Sequence, residues 1–206
     1  MVVDVDLVRA ALARGPTNEL SGERVKRRAA VAAVLRPIPR SAGGLEVLFI
    51  KRTEREGDPW SGHMAFPGGR HDERDEDLVR TAVRETREEL GLALDDLAEP
   101  LGRLDDVPAT ARGLPTGLVV TPFVWLLREV PAMQPDPSEV AEVHWAPLEP
   151  LFRGERDTHI EYPWQGQVLK LPGYEIDGGA LGRRVVWGLT HRMLQIFFAR
   201  LRADGS

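Results

Sequence analysis

The chain has 206 residues, a length that allows one generous domain or two very small ones. Hydrophobic residues make up 42% of it and charged residues 29%, which is ordinary for a folded protein and argues against wholesale disorder. The formal net charge of -5 disfavours nucleic-acid polymers and anionic membranes as partners, and the absence of cysteine excludes disulfide scaffolds, thiolate nucleophiles and cysteine-bound metal clusters.

Apolar residues recur at helical spacing over residues 3–12, which predicts a helix that ends near Gly15 and Pro16. Residues 29–35 and 45–51 are short apolar runs that predict two strands, and the proline- and glycine-rich residues 37–44 between them predict a hairpin loop. A polar loop then leads into a tight corner that depends on glycine, with the sequence MAFPGG at residues 64–69.

The strongest predicted helix covers residues 75–90, with Gly91 at the position where glycine ends a helix. Further strands and helices follow it, and they are predicted at residues 117–127 (strand), 140–145 (strand), 147–151 (helical turn), 168–174 (strand) and 185–201 (helix). Pro122 suggests that the first of these strands has an edge position or a bulge. The mixture predicts a single α/β or α+β domain over residues 1–206, in which helices pack on a mixed sheet.

Three carboxylates share one surface of the helix predicted at residues 75–90. Glu85, Glu88 and Glu89 stand at spacings that bring them together, and their mutual repulsion would be relieved by a divalent cation. Hard oxygen ligands suit Mg²⁺ or Mn²⁺, which can polarise a phosphoryl group or activate a water. The alternative is a solvated acidic face, partly neutralised by an ion pair between Arg84 and Glu88.

The end of this helix reads RETREELGL at residues 84–92 and follows the glycine corner. It resembles the signature of the Nudix hydrolases, R-E-U-x-E-E-x-G-U, and Glu76 lies eight residues before Arg84, at the pattern's first glutamate. Thr86 departs from an apolar position, and Gly69 lies seven residues before Glu76 where six are usual. The longer spacing and the preceding FPGG resemble the coenzyme A pyrophosphatase branch of the family.

The resemblance implies a Nudix-type α/β/α sandwich, with a mixed sheet between helices, that hydrolyses a nucleoside diphosphate linked to another moiety. It implies Mg²⁺ or Mn²⁺ bound by the signature glutamates Glu85, Glu88 and Glu89, with the backbone carbonyl of Gly69 as a further ligand. Glu88 or Glu89 would also orient the attacking water. Arg84 would anchor the helix through ion pairs with Glu76 and a signature glutamate, so that Glu76 is structural.

Other candidates lie outside the signature. Family members often add a glutamate from a distal loop, and Glu139 has a suitable place before a predicted strand, although it is equally typical of an exposed acid at a strand edge. Arg52 and Arg70 are candidates for phosphate contact, the alternative being surface ion pairs. Trp60, in a loop, is the better candidate for stacking on substrate, while Trp145 and Trp187 are expected in the core.

The resemblance extends over about residues 29–200, and its specific part is 62–92. In the block at residues 58–69, Gly62 and residues 65–69 match the coenzyme A branch, whereas Asp58, Trp60 and His63 replace its arginine, histidine and glutamine. Coenzyme A or an acyl-coenzyme A is therefore the leading substrate, and ADP-ribose, dinucleotides and nucleoside triphosphates remain open. The alternative from another class is a non-catalytic nucleotide sensor with the same fold.

The remaining expectations concern partners and location. The substrate is expected to be a small nucleotide, with no nucleic-acid polymer and no membrane as partner, and a homodimer is a further expectation. No apolar run approaches the ~20 residues of a membrane span, and acids at Asp4 and Asp6 stand where a signal peptide would carry bases. These features favour a cytoplasmic protein.

Overall fold

The computed structural model describes residues 2–14, 17–39, 44–111, 113–129 and 131–203. Its helices and strands are, in chain order, α1 Val5–Ala13, β1 Arg27–Pro37, β2 Leu45–Arg52, β3 Met64–Ala65, β4 Gly68–Arg70, α2 Leu78–Leu90, α3 Leu94–Leu97, β5 Ala98–Arg103, β6 Val107–Ala111, β7 Leu114–Leu127, β8 Val140–Pro147, α4 Leu148–Phe152, β9 Asp157–Trp164, β10 Gln167–Asp177, β11 Arg183–Trp187 and α5 Gly188–Arg202. None of the described helices combines the length and the apolar character needed to cross a bilayer.

Within the described residues, the main sheet has eight strands, and the order along its path is β3-β2-β1-β7-β5. Strand β1 pairs with β2 in antiparallel and with β7 in parallel orientation, so the sheet is mixed, as predicted. The short strand β4 also pairs with β1, with Ala30 opposite Gly69. This pairing fixes the glycine corner beside the central strand of the sheet.

Both faces of β1 are buried, which explains its unbroken apolar run. Ala30, Ala32 and Val34 face the core beneath α2, together with Ala82 and Leu90 of that helix. The alternate residues of β1 face the opposite core, which also contains the buried residues of α1 and of α5, among them Val8, Leu194, Phe197 and Phe198. Because side chains alternate along a strand, helices cover both faces, and the α/β/α sandwich is confirmed.

The signature helix begins later than its sequence pattern predicts. Helix α2 starts at Leu78 because the side chain of Asp77 caps it, accepting a hydrogen bond of 2.8 Å from the Arg80 N–H. Its end is as predicted, since Gly91 has a positive φ of 65° and donates its N–H to the Arg87 carbonyl.

The first predicted elements are present. Helix α1 covers much of the predicted helix at residues 3–12, and Gly15 and Pro16, near which it is predicted to end, lie outside the described residues. The predicted β1–β2 hairpin is confirmed by the pairing of Leu35 with Val47, and residues 40–43 of its loop also lie outside the described part of the chain.

The predictions for two later elements need correction. Of the two alternatives predicted from Pro122, the edge position is wrong, because β7 lies between β1 and β5, whereas the pairings of β7 with β5 and β6 do contain register shifts. One edge of β7 pairs with β6 up to Val120 and with β5 from Phe123 onward. Pro122 lies between these two pairings, so the sheet tolerates the missing N–H of the proline. The helix predicted at residues 185–201 is wrong at its start. Val186 belongs to strand β11, where it pairs with Tyr174 of β10, and α5 begins only at Gly188.

The sequence pattern does not predict helix α3 or the strands β3, β4, β5, β6, β9 and β11. Strands β9, β10 and β11 form a second, antiparallel sheet of three strands. Many residues of the β9–β10 hairpin are exposed on one face or both, so they lack the apolar alternation that reveals a half-buried strand.

Candidate active site

The corner between β3 and α2 requires glycine at both of its glycine positions. Gly68 has a φ of 145°, and a Cβ there would lie 2.3 Å from the Ala30 carbonyl oxygen. A Cβ on Gly69 would lie 2.3 Å from Oε2 of Glu85. The corner therefore lets the backbone approach the sheet and one signature carboxylate closely.

The three signature glutamates have different environments. The side chain of Glu85 is 16% exposed and that of Glu88 is 56% exposed, whereas Glu89 is only 1% exposed. The Gly68 N–H donates a hydrogen bond of 2.8 Å to Oε2 of Glu89. One glutamate thus points into the protein, one lies at its boundary and one faces solvent.

Burial changes the proton affinity of two of these carboxylates. It raises the pKa of Glu89 to about 8, although the hydrogen bond from Gly68 opposes the shift and the charges of Glu85 and Glu139 add to it. Burial also raises the pKa of Glu85, against the opposing effect of Arg84. Two neighbouring carboxylates whose pKa values are both raised are typical of a functional site.

Arg84 holds the signature helix as predicted, but with a different partner. Its Nε and Nη2 donate to the two carboxylate oxygens of Asp75 at 2.9 and 3.0 Å, and its Nη1 donates to Glu85 and Glu88, each at 2.9 Å. No ion pair joins it to Glu76 in the described structure, and Glu76 is exposed. Asp75 is six residues after Gly69, so the usual spacing counted from the glycine identifies the residue that pairs with Arg84.

Asp75 forms a local network that orders the segment before α2. The Arg84 guanidinium beside it holds the pKa of the Asp75 carboxyl well below its usual range. The same carboxylate accepts hydrogen bonds from the Thr81 hydroxyl at 2.9 Å and from the Asp72 N–H at 3.1 Å. The predicted structural role of Glu76 therefore belongs to Asp75.

Glu139 reaches the site because its loop is fastened on two sides. The Asp136 N–H donates to the Glu89 carbonyl oxygen, which is at the end of α2, and the Thr53 N–H donates to the Glu139 carbonyl oxygen, both at 2.9 Å. The Glu139 side chain is 40% exposed and lies 3.4 Å from Nη2 of Arg55. No sequence motif predicts that Arg55 forms an ion pair with Glu139. This pair depends on the fold, which brings residues 53–55 next to residue 139.

A cavity of about 610 Å³ brings most of the predicted residues together. Its lining includes the predicted residues Arg52, Trp60, Gly69, Arg70, Glu85, Glu89 and Glu139. Glu88, which is bound to Arg84, is not part of the described lining, and neither are Arg84 and Glu76. Trp187, expected in the core, lines the cavity, because β11 carries it to the rim.

The cationic groups of the cavity are only partly paired. Arg52 donates from Nη2 to Asp58 at 2.9 Å, while its Nε is buried without a hydrogen-bond partner. Arg70 is exposed, and its carbonyl oxygen accepts a hydrogen bond from Arg84 at 3.1 Å. The orphaned Nε and the exposed guanidinium of Arg70 are donors suited to an anionic ligand that enters the cavity.

The chemistry of the donor set fits a hard divalent cation. Glu85, Glu89 and Glu139 supply carboxylate oxygens whose charges disfavour one another, and Gly69 leaves room for the Glu85 carboxylate, which a Cβ there would displace. Within the described parts of the chain, no three acidic or histidine side chains converge as a formed metal-binding group. Glu88 is held by Arg84 and Glu89 by Gly68, so these side chains would have to turn toward a cation to bind it.

Comparison with known proteins identifies the family. The sequence model of the NUDIX domain family matches residues 26–174. The chain is 33% identical over 185 residues to human mitochondrial coenzyme A diphosphatase NUDT8, which covers 89% of this chain and 74% of the human protein. It is 39% identical over 117 residues to an uncharacterised protein of Schizosaccharomyces pombe, covering 56% of this chain but only 36% of that protein.

Among solved structures, a MutT/nudix family protein from Enterococcus faecalis matches with a TM-score of 0.54. The match covers 98% of this chain and 74% of that one at 18% identity, so it shows the fold alone. The chain belongs to the Nudix hydrolase family, and its relatives support a place in the coenzyme A pyrophosphatase branch.

Proposed function

We propose that the chain is a divalent-metal-dependent pyrophosphohydrolase whose substrate is coenzyme A or an acyl-coenzyme A. The observation that carries the proposal is the cavity in which the buried Glu89 and the half-buried Glu85 lie with Glu139, Arg52 and Arg70. The similarity to human NUDT8 over most of both chains supports the substrate. The same relative is named mitochondrial, so a cytoplasmic location stays a prediction.

The residues of the cavity have separable tasks in this proposal. Arg52 and Arg70 bind the phosphate oxygens of the substrate, and Trp60 stacks on a planar part of it. Glu139 or Glu89 orients the attacking water and accepts its proton, for which the carboxylate must be ionised. Burial raises the pKa of Glu89 in the protein without metal, and a bound cation would favour the ionised form. Arg84 and Asp75 keep α2 in position.

A bound Mg²⁺ or Mn²⁺, held by Glu85, Glu88, Glu89 and the Gly69 carbonyl, would supply charge stabilisation at the phosphoryl group. Glu88 can join this set only by leaving Arg84, and this costs little because the Glu88 side chain is exposed. Arg84 would remain fixed by its two hydrogen bonds to Asp75.

The test is a panel of substrates assayed with Mg²⁺ or Mn²⁺ and with EDTA, the products being identified by mass spectrometry. Cleavage of coenzyme A into 4′-phosphopantetheine and adenosine 3′,5′-bisphosphate is the expected result. Preferred cleavage of ADP-ribose, NADH, diadenosine polyphosphates or nucleoside triphosphates would keep the enzyme class and refute the substrate. Binding without turnover of any of them would favour the nucleotide sensor.

A matched pair of variants links the activity to the cavity. Glu89→Gln removes a carboxylate that lines the cavity, while Glu76→Gln changes an exposed acid outside its described lining. We expect turnover to fall at least about a hundredfold in the first and to stay within about twofold in the second. Equal activity in both would refute the proposed site.

A further inference from the structure

A second cavity, of about 730 Å³, adjoins the first. The two share Pro59, Trp60, His63, Trp187 and Leu189 as lining residues. The second cavity extends from these residues to the β9–β10 hairpin, the β6–β7 turn and the start of α5. Its size falls in the range of small-molecule sites, about 300–1,000 Å³.

A row of aromatic rings runs along this second cavity from its outer end to the first. Trp164 and Tyr162 have ring centroids 6.4 Å apart, and Tyr162 and Trp187 have centroids 5.6 Å apart. Trp187 in turn lies 4.3 Å from His63, which lines both cavities. The row forms an apolar surface that leads away from the phosphate-binding residues.

The described lining of the second cavity carries little charge. Arg192 is the one charged side chain among the described residues that line it, and no carboxylate is among them. Burial lowers the pKa values of His63 and His191, which favours their neutral forms. Leu114 and Leu169 line the cavity although they are 69% and 37% exposed, so apolar side chains remain open to solvent there.

We propose that the second cavity binds a linear acyl chain carried on the non-nucleotide half of the substrate. The cavity is continuous with the site of the pyrophosphate, it is lined by rings and leucines, and its described lining lacks the carboxylates that recognise ribose or a cation. The identity of the carrier rests on the proposed function, because coenzyme A places its thioester on the side of the pyrophosphate opposite the nucleoside.

The geometry of β10 offers a variant and a matched control. Leu169 lines the cavity, whereas its neighbour Val168 is 63% exposed and is absent from the described lining. Adjacent residues of a strand point to opposite faces. Leu169→Glu therefore places a charge in the acyl site, and Val168→Glu places the same charge on the other face of the same strand.

Binding is tested with dodecanoyl-pantetheine, which has the acyl chain but no pyrophosphate, by following tryptophan fluorescence without metal. We expect Leu169→Glu to weaken binding at least about tenfold, since each buried methylene can tighten binding up to about fourfold. Val168→Glu should stay within about twofold of wild type. Absence of binding to the wild type, or equal binding by both variants, would overturn the proposal.

Kinetics separate this inference from the proposed function. The KM of wild type for dodecanoyl-coenzyme A should be about tenfold below that for coenzyme A. Leu169→Glu should remove this difference, whereas Val168→Glu should keep it. Equal KM values for the two substrates in wild type would overturn the acyl site. Failure to hydrolyse either substrate would refute the proposed function instead, because the binding of dodecanoyl-pantetheine needs no turnover.

Discussion

Burial of Glu89 outweighs the groups that stabilise its charge, which are the Gly68 N–H and the charge of Arg52. Glu89 is 1% exposed, and its described hydrogen bond comes from one backbone N–H, that of Gly68. Arg84, the arginine of the signature, is bound to Asp75, Glu85 and Glu88 instead. A buried carboxylate that forms no ion pair has a raised pKa or destabilises the fold. In the protein without metal, Glu89 is therefore a source of instability that a bound dication would remove.

The first prediction concerns the pH dependence of the metal-free protein. The pKa of Glu89 rises from 4.5 to about 8 on folding, so between these values the unfolded chain has released a proton that the folded chain retains. The contribution of Glu89 to the free energy of unfolding should therefore be highest below pH 4.5. It should fall by up to about 1.4 kcal/mol per pH unit as the pH rises toward 8.

Glu89→Gln should lack this loss, so its free energy of unfolding in urea should exceed that of wild type at pH 8 and approach it at pH 5. EDTA must be present in all samples. A constant difference between the two proteins over this range would contradict the pKa assigned to Glu89.

At the level of residues, the sequence predicts that three glutamates share one surface of α2, but not how deeply each is buried. The period of a helix brings Glu85, Glu88 and Glu89 to one surface whatever the fold. Whether each is buried depends on β1 and β4, which pack beside α2 but lie outside its sequence. The signature, counted back from Arg84, points to Glu76 as the partner of that arginine, whereas the helix begins only after Asp77 and leaves Asp75 in reach.

The corner that leads to α2 combines two glycines with different physical roles. At Gly68, a side chain is forbidden both by the φ of 145° and by the backbone oxygen of Ala30, which would lie 2.3 Å from its Cβ. At Gly69 the obstacle is the end of the flexible Glu85 side chain. The first glycine is needed for the fold, and the second is needed to leave Glu85 in place.

We predict that the two alanine variants separate stability from activity. Gly68→Ala should lower the free energy of unfolding by at least about 1–3 kcal/mol, because backbone must move. Gly69→Ala should have a Tm close to that of wild type but should lose activity, because the Glu85 side chain must turn away from the new Cβ. Thermal unfolding and turnover measured on both variants check this, and an unfolded Gly69→Ala or a fully active one would contradict it.

A third prediction concerns the ion pair that anchors α2. Asp75→Asn should cost about 2–3 kcal/mol at neutral pH, because Arg84 loses two charge-assisted hydrogen bonds, while Glu76→Gln should cost less than about 0.5 kcal/mol. The pKa of Asp75 is lowered by Arg84, so this contribution is present above the usual carboxyl pKa of about 4 and is lost as pH falls below it.

Urea unfolding of wild type, Asp75→Asn and Glu76→Gln at pH 7 and at pH 3 measures this effect. The difference between wild type and Asp75→Asn should shrink at the lower pH. Equal losses in the two variants at pH 7 would restore Glu76 as the anchor.

At the level of elements, prediction succeeded where burial gives a clear period. Strand β1 has seven consecutive buried residues, and α2 has a capped end. Strand β11 and helix α5 follow one another without a break, so their apolar residues together predict one helix. Gly188, with a φ of 62°, marks the junction, but a positive φ is not visible in a sequence.

The elements outside the family match pack on the same core as those inside it. The match ends at residue 174, yet Met193, Phe197 and Phe198 of α5 and Val8 of α1 belong to the core that also contains β1. We therefore propose that residues 1–206 form one domain. The two cavities meet at Trp187, which stands between β11 and α5.

The second cavity could not be predicted from the sequence. Its walls come from the β6–β7 turn, the β9–β10 hairpin and the start of α5, which are far apart in the chain and carry no common motif. The first cavity could be predicted in part, because six of its predicted residues lie within residues 52–89, a continuous segment that contains most of the signature.

Hydrolysis of coenzyme A by wild type and by Glu89→Gln, measured side by side with Mn²⁺, Mg²⁺ or EDTA, decides whether the buried carboxylate belongs to a metal-dependent pyrophosphohydrolase. We predict 4′-phosphopantetheine and adenosine 3′,5′-bisphosphate from the wild type with metal alone, and at least about a hundredfold slower turnover by the folded variant. Turnover that persists in EDTA, or that Glu89→Gln leaves unchanged, would contradict this mechanism.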